Sequence, residues 1–140
     1  GVLDKLLRMI GFESITHAED GDIALEVMDE HAIDLMITDV QMPKVNGLEL
    51  LKRVRCGESA ASRSLNTIVV TALEEEYVLA TAMSLDVNGF IQKPFTAPTL
   101  IKRLLVAMSE SSREAPGFPY AEVKTDFSGL TLQGEATASR

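Results

Sequence analysis

IDLMITDVQMPKVNG, residues 33–47, decides how this chain is read. Ile33 to Thr38 is a mostly apolar run, and Asp39 ends it. A near-continuous apolar run reads as a strand buried on both faces, as in a parallel sheet. Gly47 to Arg55 then reads as a helix, with Leu48, Leu50, Leu51 and Val54 apolar. Working downstream, Cys56 to Ser64 is a loop of small and polar residues, and Thr67 to Ala72 (TIVVTA) is a second buried-strand run. Glu74 to Leu85 reads as a helix that opens on three glutamates, where the positive end of the helix dipole favours acids. Asn88-Gly89 is a turn, and Phe90 to Lys93 is a short strand closed by Pro94. Thr96 can cap a last helix, with Pro98 in its first turn and an apolar stripe of Leu100, Ile101, Leu104, Leu105 and Met108.

Working upstream, Asp22 to His31 reads as a helix with Ala24, Leu25 and Met28 as its stripe, and residues 12–18 (FESITHA) as a short strand. Leu3, Leu6, Leu7 and Ile10 stand at helical spacing, and Gly11 is a natural stop. Strands alternating with helices imply βα units, hence an α/β fold with a parallel sheet and helices on both sides. The sequence opens inside a helix with no strand before it, so either the sheet has four strands or its first strand lies outside this sequence. Residues 111–140 are rich in Ser, Ala, Gly, Thr and Pro and read as a linker or C-terminal tail, with a weak edge-strand alternation over Tyr120 to Phe127.

The 140 residues fit one domain. With 46% hydrophobic and 24% charged residues the composition is that of a globular protein. One cysteine, Cys56, excludes an internal disulfide and any CxxC motif. No apolar run approaches membrane-spanning length and no signal peptide is visible, so a cytoplasmic setting is expected. A net charge of −8 argues against direct binding to nucleic acid. The densest basic group, Lys52, Arg53 and Arg55, reads as the solvated face of a helix. His17 reads as a strand side chain, and His31 as a residue near a helix end.

In open α/β sheets, ligands bind beyond the carboxyl ends of the strands. Asp39, Thr71 and Lys93 fall at or just before three such ends. Singly, each has a plain explanation: a helix cap, β-propensity, a solvated strand end. Together they put a carboxylate, a hydroxyl and an ammonium on one rim.

At this point the residues resemble a known family. Asp39-Val40-Gln41-Met42-Pro43-Lys44-Val45-Asn46-Gly47 is similar to the phospho-acceptor segment of response-regulator receiver domains: an Asp, Met-Pro at three and four residues on, and Gly at eight. Thr71-Ala72 resembles that family's hydroxyl residue, Lys93-Pro94-Phe95 its Lys-Pro pair, and Glu19-Asp20-Gly21 with Ala24-Leu25 its second strand-to-helix junction. The resemblance covers residues 1–110, taken as the receiver domain. It implies a doubly wound, flavodoxin-like sheet of five parallel strands in the order 2-1-3-4-5, the first of which is missing from this sequence.

The resemblance further implies that Asp39 accepts a phosphoryl group from a histidine kinase or a phosphotransfer protein. Asp39 and the Gln41 main-chain carbonyl would contribute to Mg²⁺ coordination. Thr71 would hydrogen-bond one phosphoryl oxygen, and Lys93 would pair with another across a cis peptide to Pro94. Phe90 stands where the family carries its aromatic switch, and residues 74–109 would form the face toward an output domain or protein partner. Receiver domains also carry an acidic pair at the end of the first strand; that pair is absent here, and Asp20 is not a match for it. Open strand edges left by a missing strand would favour self-association. The alternative is a degenerate receiver that acts by contact alone. A phosphatase of the haloacid dehalogenase type wants a second Asp two residues after the first, where Gln41 stands; the chain is therefore read as a phospho-acceptor and not an enzyme.

Overall fold

The computed structural model describes residues 2–109 and 119–126. Helix α1 (Val2–Ile10) stops at Gly11, whose φ of +123° lies in the region glycine tolerates best. Helix α2 (Gly21–Glu30) is capped by Asp20, which accepts from the Ile23 N–H. Strand β1 (Leu35–Asp39) follows, then α3 (Gly47–Arg55), β2 (Asn66–Thr71), α4 (Glu76–Ser84), β3 (Gly89–Gln92) and α5 (Ala97–Ser109). A single 3₁₀ turn, Tyr120–Glu122, closes the described chain.

The sheet is parallel and ordered β1-β2-β3. Leu35 to Asp39 pair in register with Asn66 to Val70, and Ile68 to Thr71 with Gly89 to Gln92. Parallel pairing brings all three carboxyl ends to one edge of the sheet, which positions the site.

The sheet separates two apolar layers. On one face Leu6 and Leu7 of α1 and Leu100 and Leu104 of α5 cover Ile68, Val70 and Ile91. On the other, Met28 of α2, Leu48, Leu51 and Val54 of α3 and Val78 and Ala82 of α4 cover Met36 and Val69. The alternation along β2 sends Ile68 and Val70 to one layer and Val69 to the other, the period of two that a strand imposes. Helices therefore lie on both sides of the sheet, as the apolar runs predict.

Four expectations are corrected. Residues 12–18 form no strand. A strand exists through its neighbours' hydrogen bonds, and among the described residues no strand pairs with this segment. It lies instead across a cavity of about 700 Å³ from β1, lined by Phe12, Ile15, Met28, Leu35 and Ile37 among others. His17 is consequently no strand side chain; its Nε2 lies 3.0 Å from Asp4 Oδ2 on α1.

The basic group at the end of α3 is only partly solvated. Arg55 is 4% exposed. Its guanidinium donates to the carbonyls of Leu85, Arg63, Leu65 and Asp86, all between 2.8 and 2.9 Å. The edge strand expected over Tyr120–Phe127 is the 3₁₀ turn followed by irregular backbone to Asp126, and Phe127 lies outside the described residues.

Candidate functional site

The rim is built by strand ends. Asp39 is the last residue of β1 and pairs in register with Val70, one residue before Thr71. The Lys93 N–H donates to the Thr71 carbonyl at 2.8 Å, which fixes Lys93 directly beyond β3. Lys93 Nζ then reaches Asp39 Oδ2 at 2.7 Å, spanning two strand spacings over the end of β2. The peptide bond between Lys93 and Pro94 is cis. Both charged groups keep contact with solvent, so an anion can approach them without unfolding anything.

Thr71 is fully buried. Its Oγ1 accepts from the Leu73 N–H at 3.1 Å. Among the described residues no acceptor for its own hydroxyl proton is seen. The structure thus brings Asp39 and Lys93 into contact and places Thr71 on the strand between them, without a bond from Thr71 to either side chain. Phe90 is half-buried and packs against the α2–α3–α4 layer, in register with Val69.

The loop after Asp39 folds over the rim. The Gln41 N–H donates to Asp39 Oδ1 at 3.2 Å. Asn46 caps α3 by accepting from the Leu48 and Glu49 N–H groups. The Gly47 N–H donates to the Val40 carbonyl at 2.9 Å. A Cβ on Gly47 would lie 1.8 Å from the Asp39 carbonyl oxygen, so only glycine permits this return of the chain. Lys44 adopts a φ of 63°, and its Nζ lies 3.8 Å from Asp20 Oδ2.

The described residues hold no cluster of three or more His, Cys, Asp or Glu placed to bind a metal. They do offer the Asp39 carboxylate and the Gln41 carbonyl, oxygen donors of the type Mg²⁺ takes alongside water and phosphate. His31 caps the end of α2, as expected of a residue near a helix end. Cys56 is a free thiol at the end of α3. Sequence reasoning overlooks Asn46, Tyr120 and Thr125: Asn46 Nδ2 donates to the Thr125 carbonyl at 2.6 Å, joining the tail to this loop, and Tyr120 Oη donates to Asp86 Oδ2 at 2.5 Å, joining it to the end of α4. The one signal available was a lone tyrosine in a tail of small residues.

A parallel sheet with helices on both faces thus carries a carboxylate, a hydroxyl and an ammonium at three successive strand ends, the rim where open α/β sheets bind ligands. The response regulator receiver domain family matches residues 1–105. The chain is 36% identical over 103 residues to chemotaxis protein CheY-3 of Vibrio cholerae serotype O1, covering 74% of this chain and 78% of that protein. Among solved structures, a response regulator receiver domain protein from Clostridium thermocellum superposes with a TM-score of 0.65 at 26% identity, over 76% of this chain and 82% of that one. The receiver domain of sensor histidine kinase PA1611 from Pseudomonas aeruginosa, solved with a magnesium ion in its active site cleft, superposes with a TM-score of 0.65 at 22% identity, over 78% and 87%. The chain belongs to the response regulator receiver family, and its sheet with flanking helices is the flavodoxin-like receiver fold.

Proposed function

We propose that Asp39 is the phospho-acceptor of this receiver, and that a histidine kinase or a phosphotransfer protein is the donor. The observation that carries the reading is the 2.7 Å contact of Lys93 Nζ with Asp39 Oδ2 at the strand-end rim. A carboxylate repels an anionic phosphodonor unless a cation stands beside it, and phosphoryl transfer depends mostly on positioning and charge neutralisation. One Asp39 oxygen forms the new bond to phosphorus while the donor's bond to phosphorus breaks and the leaving group keeps the electron pair. Lys93 then turns from the carboxylate to a phosphoryl oxygen. Thr71 donates a hydrogen bond from its hydroxyl to another. Asp39 and the Gln41 carbonyl would hold Mg²⁺, whose bound charge would offset that of the incoming phosphoryl group. The domain is a phospho-acceptor assisting its own modification rather than an enzyme with a separate substrate.

We take residues 1–110 as the receiver unit and 111–140 as its tail. The partner face is assigned to residues 74–109, where Tyr77, Leu79 and Met83 of α4 and Leu105 and Val106 of α5 are exposed, Met83 by 62%. Movement of Thr71 toward the phosphoryl group vacates space that Phe90 can fill, giving two surface shapes. Taking such a switch from 1:99 to 99:1 needs about 5.5 kcal/mol of differential interaction. One or two charge-assisted hydrogen bonds, at about 1.5–3 kcal/mol each, approach but do not secure that figure, so a partner's binding supplies the remainder.

Incubation with acetyl phosphate and Mg²⁺ followed by intact-mass measurement tests the reading. The chain should gain one phosphoryl group and Asp39→Asn none. Equal gain by the variant refutes it.

A further inference from the structure

Residues 119–126 are not idle chain. The Tyr120 ring is 6% exposed and belongs to the same apolar layer as α3 and α4, and Val123 packs against that layer. The Tyr120 hydroxyl donates to Asp86, just beyond α4, whose carbonyl is held by Arg55 at the last residue of α3. Five residues on, Thr125 is buried at the opposite end of α3. Its carbonyl accepts from Asn46 Nδ2 at 2.6 Å, and its hydroxyl donates to Glu49 Oε2 at 2.5 Å. The lengths agree: Asn46 to Arg55 rises about 14 Å at helical pitch, while the 3₁₀ turn at 120–122 rises about 4 Å and the three steps on to Thr125 reach about 10 Å if extended. The segment therefore runs along α3, from its carboxyl end to its amino end.

Its far anchor is the loop of the candidate site. Asn46 is spent on both sides, its Oδ1 capping α3 and its Nδ2 holding Thr125. The next residue, Gly47, bonds to the Val40 carbonyl and lies against the Asp39 carbonyl with no room for a side chain. Asp39, Gly47, Asn46 and Thr125 thus form one contiguous chain of contacts.

We propose that residues 119–126 act as an intramolecular strap docked along α3, bracing the loop between Asp39 and Asn46 and thereby strengthening the hold of Asp39 on a phosphoryl group. The second half rests on the Asp39 reading above. Its sign follows from entropy: a ligand that orders the 40–46 loop loses less freedom when the strap has already ordered the loop's end, so the two events favour each other. By reciprocity, loading Asp39 must tighten the strap by the same factor.

Amide hydrogen exchange by NMR on the full 140-residue chain tests both halves. Two shape-preserving variants each remove one side-chain hydrogen bond of the strap and leave the Asn46 bond to the Thr125 carbonyl in place: Thr125→Val the bond to Glu49, and Tyr120→Phe the bond to Asp86. In both, the amides of Asn46, Gly47, Leu48 and Glu49 should exchange several-fold faster relative to Val69 in β2, which reports global stability. If neither variant accelerates those four amides beyond Val69, the strap does not brace the loop and the proposal falls. Beryllofluoride with Mg²⁺ then serves as the phosphoryl mimic, its binding followed by ¹⁹F NMR. It should slow the amides of residues 120–126 in the unmodified chain and bind Thr125→Val about fivefold more weakly, near the low end of intramolecular couplings. Bound fluoride with no change at 120–126 refutes the coupling. Absence of bound fluoride removes the second half together with the Asp39 reading, while the first comparison still decides the brace.

Discussion

Strand β1 has two unlike margins. On its inner side five residues pair with β2, helices cover both faces, and the chain returns through Gly47 with no spare volume. On its outer side, among the described residues, no strand pairs with it, and residues 12–18 stand off across the cavity. The backbone groups of alternate residues point toward β2 and are satisfied, while those of the residues between them point to the side where, among the described residues, no strand pairs. The site is assembled wholly from the satisfied side, which is why Asp39 and Lys93 meet although the opposite margin is open. An open margin is also where a sheet recruits further strands.

The contrast is broken most severely by filling the tight side. Gly47→Ala must displace the Asp39 carbonyl or part α3 from the sheet, with a cost of about 3 kcal/mol or more. Gly11→Ala at the open side meets no atom within 4 Å and bears only the strain of a positive φ, about 1 kcal/mol. Urea unfolding of the two variants should rank them in that order; equal midpoints would mean the two margins are equally tight.

A smaller effect is expected at Arg55. Arg55→Met keeps much of the side-chain volume but takes the guanidinium donor from the carbonyls of Leu85, Arg63 and Asp86, while Leu65 keeps the Thr67 hydroxyl, at about 2–3 kcal/mol. The same urea experiment should show a lowered midpoint with an unchanged slope. A midpoint within error of the unmodified chain would return Arg55 to the solvated role that its neighbours Lys52 and Arg53 suggested.

The smallest effect belongs to the open margin. The hydrogen bond from His17 holds the Asp4 carboxyl below its ordinary value of 3.8, against a weaker opposing effect of burial. A carboxyl lowered in the folded state contributes stability that is present above 3.8 and is lost as pH falls below it. His17 is exposed and Asp4 is only half-buried at the surface, so the contribution is slight. An NMR titration of the Asp4 side-chain carbon should move back toward 3.8 in His17→Ala; an unmoved titration would show that His17 does not tether the 12–18 segment to α1.

What was legible in the sequence follows the same division. Ile33–Thr38 and Thr67–Ala72 announce buried strands because both faces of a covered parallel strand must be apolar, and the strand ends then name Asp39, Thr71 and Lys93. Residues 12–18 carry strand-like residues too, yet a strand is a property of a pair, and no propensity reveals whether the partner is present. Arg55 was misread because a basic triplet at a helix end usually faces water; only the tertiary return of 63–65 and 85–86 supplies the carbonyls that bury it. The docking of Tyr120 and Thr125 depends on contacts more than thirty residues away in sequence, beyond the reach of local pattern.

Asn46 shows how much can hang on one amide nitrogen. Asparagine and aspartate cap helices about equally well, so hydrolysis of this side chain to a carboxylate would leave α3 intact. It would also replace the donor facing the Thr125 carbonyl with an acceptor and set a second negative charge beside Glu49. Asn46 is followed by Gly47, the residue that least shields an asparagine from attack by the next backbone nitrogen, and that nitrogen is here committed to Val40. The fold thus protects, through one backbone hydrogen bond, the amide whose slow chemical ageing would release Thr125 from the end of the loop while Tyr120 still held the tail.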